Sequence, residues 1–191
     1  MDRGKYSMAA GALGMVALVA VGVAAGVSAS AEPRVVSSEV HSKIIDPRSP
    51  DDTLPSVVDR EVFEHIDFDT SHLLADSAKA TYWSAESTDG QVCLLVVPHV
   101  KHAYAAGTCA SPDELRESGL VLAVENPDPE LSFATILLPD GASFQAVKGY
   151  RALSSVLVEA DFAEFMASGD GMRIQADDGP ELVIRGFQPG L

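Results

Sequence analysis

Two patterns of apolar and polar positions divide this chain. From Met8 to Val27 every residue is Ala, Gly, Val, Leu or Met, without a polar position. Beyond it, apolar residues come in short runs cut by Gly, Pro, Asn and Asp. As a helix the first run would be about 30 Å long, the thickness of a bilayer's hydrocarbon core. Arg3 and Lys5 stand ahead of it, and no charge follows until Glu32. Ala29-Ser30-Ala31 fits the small-x-small pattern cut by signal peptidase. Two readings stay open. An uncleaved anchor with its N-terminus inside is favoured by the basic residues and by a run longer than the usual signal core of roughly 7–15 residues. Cleavage is favoured by composition, since seven Ala, four Gly and two Leu make a weak stop signal. Residues 1–31 are therefore expected to direct export, as signal peptide or transmembrane anchor. Residues 32–191 are expected outside the cytoplasm, secreted or held at the plasma membrane.

From Glu32 to Thr53 the apolar periodicity fades among Pro33, Pro47, Pro50, four Ser and scattered charges. Such a stretch buries too little surface to offset its ordering entropy, so a flexible stalk over 32–53 is expected. Leu54, Val58, Val62 and Ile66 then recur every four residues behind Pro55, which predicts a short amphipathic helix.

The remaining pattern is that of strands. Residues 79–86 end at Asp89-Gly90, a tight-turn signal, and 91–98 and 102–109 follow as a hairpin. Ser111, Pro112, Glu114 and Gly119 mark a capped helix between them and the later strands. Segments 120–125, 131–138, 142–148, 151–159, 172–177 and 181–187 read as further strands, separated by Asn126-Pro127-Asp128-Pro129, Pro139-Asp140-Gly141, Gly169-Asp170-Gly171 and Asp178-Gly179-Pro180. Phe162 to Ala167 fits either a strand or a helical turn. The fold class expected for residues 54–191 is mostly β, a small antiparallel sandwich or barrel with one or two short helices, preceded by the signal or anchor helix and the stalk.

Cys93 and Cys109 are the two cysteines, and both lie in the part expected outside. Pairing them across the 91–98/102–109 hairpin puts Val97 opposite Ala105 and centres the turn on Lys101. A directly opposed antiparallel pair brings the Cα atoms close enough for a bridge. A structural disulfide is expected; a redox role is disfavoured because no CxxC is present.

The stretch Tyr82-Trp83, then Asp89-Gly90-Gln91-Val92-Cys93-Leu94-Leu95-Val96, then Cys109-Ala110-Ser111 and Gly119-Leu120-Val121 resembles a segment of uncharacterised exported or membrane-anchored actinobacterial proteins. The likeness covers about a third of the chain. It implies the bridge and the export, and no activity.

Charge narrows the partners. Without residues 1–31, which hold Asp2, Arg3 and Lys5, the chain keeps 27 acidic and 11 basic residues, a formal charge of −16. Nucleic acid and anionic lipid headgroups both require neutralisation by Lys and Arg, so neither is expected as a partner. Contact with membrane is expected only through residues 8–27. An envelope protein or glycan is the partner class that remains.

Candidate chemistry is sparse. No GxSxG, HExxH, CxxC, P-loop or dinucleotide fingerprint occurs beyond residue 31. No catalytic residue, metal or cofactor is assigned. His99 and His102 are the pair with ligand spacing, yet no third His or Cys stands close by to complete a shell. Asp67 and Asp69, with Glu64 nearby, form an acidic stretch that reads as a solvated helix end before a Ca²⁺ site. Tyr82 and Trp83 point to opposite faces of one strand, which predicts one core ring and one partly exposed ring able to contact a partner. The function expected is a non-catalytic interaction or accessory module of the cell envelope. The alternative is a secreted hydrolase without a short motif.

Overall fold

The computed structural model describes residues 36–102, 104–145, 147–168, 172–176 and 182–184. The apolar run 8–27 and the cleavage motif lie outside the described residues. Among those described, no helix is long and apolar enough to cross a membrane.

Four antiparallel strands, β1 (Ile66–Asp76), β2 (Ala80–Ser87), β3 (Val92–Pro98) and β4 (Ala106–Ala110), follow one another across the first sheet. The second sheet runs β5-β6-β9-β8, from Leu120–Val124, Phe133–Leu137, Leu157–Asp161 and Tyr150–Ala152. A third, of three strands, joins β11 (Leu182–Ile184) to β10 (Met172–Ala176) and β7 (Ala142–Ser143). The described residues are thus mostly β, with three short α-helices among them: α1 (Ser37–Val40), α2 (Pro112–Ser118) and α3 (Phe162–Ala167). The mostly-β expectation holds.

Three apolar clusters explain why so many strand positions are buried. Tyr82, Leu94 and Val96 of the first sheet share a core with Val124, Phe133, Leu137 and Leu157 of the second. Tyr82 and Phe133 meet there edge to face, with centroids 6.1 Å apart. Ala134, Ile136 and Val158 point the other way, against Phe165 of α3 and Ile174, Leu182 and Ile184 of the third sheet. The outer face of the first sheet carries Trp83, Cys93, Leu95 and Val97 under Val58, Phe63 and Phe68. All seven residues of β3 are buried because both faces of its sheet are covered, as a continuous apolar run requires.

The hairpin and the capped helix form as the sequence indicates. Cys93 pairs with Cys109 and Val96 with Ala106, the expected register, and the two cysteines are bridged with Cα atoms 4.0 Å apart. Ser111 and Glu114 close a reciprocal capping box on α2, and Gly119 leaves it at φ 66°. Phe162–Ala167 is helical.

Three expectations need correction. Leu54, Val58, Val62 and Ile66 do not share a helix. Residues 54–65 run as successive turns, with Val58 N–H donating to Pro55 O and Phe63 N–H to Asp59 O. Asp59 Oδ1 accepts the Glu61 N–H, an Asx turn that competes with helical bonding, and Val62 is left 66% exposed. The 151–159 strand is divided into β8 and β9 by a bend at 153–156.

The described part of the expected stalk, residues 36–53, is packed onto the domain. Val40 and Ile44, four apart, enter the core between the first two sheets. Ser37 bonds to Glu86, Ser42 N–H donates to Asp140 Oδ2 at 2.6 Å, and Asp140 N–H donates to Val40 O at 2.8 Å. Arg48 and Asp52 fasten its end to β1. Proline and serine there shape turns; they do not prevent docking.

Candidate functional site

The sequence-derived candidates fall into two places. Tyr82 and Trp83 do face opposite sides of β2, but both are buried, so neither ring is available to a partner. This corrects the expected exposed aromatic: the turns of 54–65 cover the second face, and Trp83 lies beneath them with its Nε1 unpaired. His99 and His102 lie beyond β3, at the exposed hairpin tip. His99 Nε2 stands 2.9 Å from Thr81 Oγ1 and 3.4 Å from Asp76 Oδ1, which ties the ring to β1 and β2. Among the described residues no three His, Cys, Asp or Glu side chains converge as a metal site would need. Asp67 and Asp69 sit in β1, where Asp67 Oδ1 accepts the Asp69 N–H at 3.0 Å.

Sequence reasoning overlooked the polar groups that the docked segment brings in. His41 is wholly buried and neither ring nitrogen has a hydrogen-bond partner; its Nδ1 lies 4.0 Å from Asp140 Oδ1. Burial holds its pKa at about 4; the Asp140 carboxylate opposes that shift, and His72 and Lys43 add to it. Asp52 is also buried. Burial pushes its pKa up, but N–H donors from Ser49 (2.5 Å) and Leu73 (2.7 Å) outweigh that and bring it down to about 2. His72 Nδ1 stands 3.6 Å from the same carboxylate. Asp52, through Leu73 and His72, joins the segment to β1.

A second buried carboxylate joins the two sheets. Glu159 of β9 accepts from Tyr82 Oη at 2.5 Å, Ser77 Oγ at 2.7 Å and Arg151 Nη2 at 2.8 Å. Desolvation first, then the neighbouring Glu159, raises the Tyr82 pKa far above the usual phenol range. A cleft of about 380 Å³ opens beside it, lined by Lys79, Tyr150, Arg151 and Asp161. With both oxygens engaged, Glu159 serves as a cross-sheet tie.

A larger cleft, about 600 Å³, lies where the docked segment meets β1. Its walls come from Arg48, from the turns Thr53 to Arg60, and from Phe68 and Asp69. It exists because β1 is bulged: Asp67 pairs with Glu86 but His72 already pairs with Ser84, so five steps on β1 match two on β2. The extra residues push Phe68 and Asp69 out of the ladder. Arg48 is held from behind, Nε to Ser71 O at 3.1 Å and Nη2 to Ser71 Oγ at 3.0 Å and Asp52 O at 3.3 Å. Its Nη1 makes no hydrogen bond and is 3.9 Å from the exposed Asp69. The Arg60 guanidinium rests on the Phe68 ring, 4.5 Å from its centroid. The periodicity assigned Arg48 to a stalk and Arg60 to a helix; a cation set among Asp59, Glu61 and Glu64 was the signal within reach.

No family model matches the chain, and neither a curated protein nor a solved structure matches it.

Proposed function

We propose that this chain is an extracytoplasmic module of the cell envelope that works by binding, delivered by residues 1–31 through a cleaved signal or a retained anchor. The carrying observation is the Cys93–Cys109 bridge, set in a sheet covered on both faces. Disulfides persist in oxidising compartments and are rare in the cytosol, so the bridge supports export. Binding is supported by the way buried ionisable groups are used. Asp52 and Glu159 have their oxygens engaged in joining elements, while the cleft of about 600 Å³ beside β1 presents two guanidinium groups. The partner is an envelope protein or glycan, and the Asp89–Val96 and Cys109–Ser111 segments are the part we relate to exported actinobacterial proteins.

The test is a C-terminal phosphatase fusion that is active only outside the cytoplasm, followed by mild crosslinking of the envelope fraction. Activity of the fusion and discrete crosslinked species are expected, and N-terminal sequencing that begins at Glu32 would select the cleaved form. An inactive phosphatase fusion beside an active cytoplasmic reporter fusion would overturn the reading.

A further inference from the structure

The cleft beside the β1 bulge has a composition at odds with the rest of the molecule. The chain carries a formal charge of −15, whereas this one concavity is lined by two arginines, Arg48 and Arg60, matched by two aspartates, Asp59 and Asp69. Several cations pair with carboxylates: Lys43 with Asp46, Lys79 with Asp161, Lys148 with Glu164, Arg151 with Glu159 and, in the cleft itself, Arg48 with Asp69 at 3.9 Å. Arg60 does not. Its immediate neighbours in sequence are Asp59 and Glu61, but among the described residues it makes no ion pair or hydrogen bond and stacks on Phe68. Asp59 Oδ1 is occupied by the Glu61 N–H. The contact with the ring leaves the hydrogen-bonding fork of this guanidinium uncommitted.

Arg48 is fixed differently, and its Nη1 keeps an ion-pair contact with the exposed Asp69 at 3.9 Å. Three hydrogen bonds to Ser71 and Asp52 hold one edge of its fork, and Nη1 is the nitrogen left without one. The hydroxyls of Thr53 and Ser56 line the same space and donate to no group among the described residues. The open Arg60 fork, the Arg48 Nη1 that a ligand would take over from Asp69, and two hydroxyls suit a carboxylate, whose oxygens accept from a planar fork in pairs. Leu54, Pro55 and Val58 add apolar lining beside them. The Phe68 face that a sugar ring would stack on is already taken by Arg60. An apolar wall next to a carboxylate seat fits the last side chain of a peptide and its terminal carboxylate. The volume, about 600 Å³, lies within the range of small-ligand sites, roughly 300–1,000 Å³.

We therefore propose that this cleft binds the C-terminal carboxylate of a peptide, with Arg60 and Arg48 as the carboxylate seat. The proposal rests on the binding-module reading and names its ligand class. The test titrates the full-length protein in mild detergent with N-acetyl-Ala-Ala, its C-terminal amide and glucuronate, followed by calorimetry and by backbone amide shifts of residues 53–60 and 68–71.

Saturable binding of the free acid is expected, weakened about tenfold or more on amidation, the size of a lost charge-assisted contact. Arg60→Gln should weaken the acid by a similar factor and leave the amide unaffected. Arg60→Lys keeps the charge but lacks the fork, and should fall between the two. Far-ultraviolet circular dichroism confirms that each variant is folded. Equal binding of acid and amide would overturn the proposal, as would no saturable binding of the acid, tighter binding of glucuronate, or an Arg60→Gln variant that binds the acid as before. Crosslinked envelope partners obtained alongside a negative titration would remove this ligand class and leave the module reading standing.

Discussion

Acid should loosen this protein before its carboxylates begin to titrate, and His41 is the group responsible. Its ring is wholly buried, with Asp140 facing Nδ1 at 4.0 Å and His72, Lys43 and Asp46 as the other charges felt at the site. In the unfolded chain the imidazole takes its ordinary pKa of 6.5, whereas the folded value is about 4. A folded pKa below the unfolded one means the unfolded state binds protons first. The neutral ring's contribution is therefore complete above pH 6.5 and is lost as pH falls toward 4. At about 1.4 kcal/mol per pH unit, the full loss is about 3 kcal/mol, of which about 2 has gone by pH 5. Against a typical domain stability of about 5–15 kcal/mol, that is large. The assay is guanidinium unfolding at pH 7.5, 6 and 5 for the wild type and for His41→Leu. Neither ring nitrogen makes a hydrogen bond, so His41→Leu should cost little at pH 7.5. It should then remove about 2 kcal/mol of the wild-type decline between pH 7.5 and 5. Parallel stability curves for the two proteins over that interval would refute the reasoning. Asp52 acts in a separate window: with its pKa lowered from 3.8 to about 2, its contribution holds above pH 3.8 and disappears only as pH falls toward 2.

Replacing both bridged cysteines by Ala should lower stability by about 3 kcal/mol, the chain-entropy value for a loop of this length, read as a reduced denaturant midpoint; an unchanged midpoint would contradict it. Trp83 is the only tryptophan and is buried under the 54–65 turns, so its emission should be blue-shifted and resist iodide quenching until the fold opens. Tyr82→Phe should cost about 1–2 kcal/mol by removing one of three donors to Glu159, and in the wild type this phenol should stay protonated through the alkaline range where tyrosines ionise; ultraviolet titration checks the second point.

What was legible in the sequence was what short-range chemistry decides. Ser111 and Glu114 cap α2 because both partners lie within one turn of each other. Cys93 meets Cys109 because two strands and a short turn leave little freedom of register. What was not legible depended on surfaces supplied from elsewhere. Leu54, Val58, Val62 and Ile66 have helical spacing, yet the cover on the outer face of the first sheet is made by Val58 and Phe63, with Leu54 and Val57 packed beside them, while Ile66 already belongs to β1. Turns deliver those residues as well as a helix would, and the spacing alone does not choose. The alternation of Ile66 and Phe68 with Asp67 and Asp69 was the strand signal for β1, obscured by the longer period overlapping it. The docked segment was hidden for the opposite reason. Its apolar content is just Val40 and Ile44 at the core, too little to show as periodicity but enough when Arg48 and Asp52 add hydrogen bonds.

The same segment links acid, stability and ligand. Arg48 belongs to the cleft, but its position depends on residues 36–53 remaining docked, which His41 and Asp52 help secure. Undocking that segment removes one of the two guanidinium groups from the seat. A peptide carboxylate that binds only the docked form must then favour docking by as much as docking favours it, the reciprocity of linked equilibria. At a hundredfold excess over its Kd, such a ligand adds about 2.7 kcal/mol to the docked state. Amide hydrogen exchange at His41–Ile44 reads this directly, because these residues lie outside the cleft and touch no ligand. Saturating N-acetyl-Ala-Ala should slow exchange there up to about a hundredfold at pH 7, and lowering the pH to 5 should weaken its binding. Exchange in that segment unaffected by saturating ligand would separate the cleft from the segment and assign Arg60 alone to the seat.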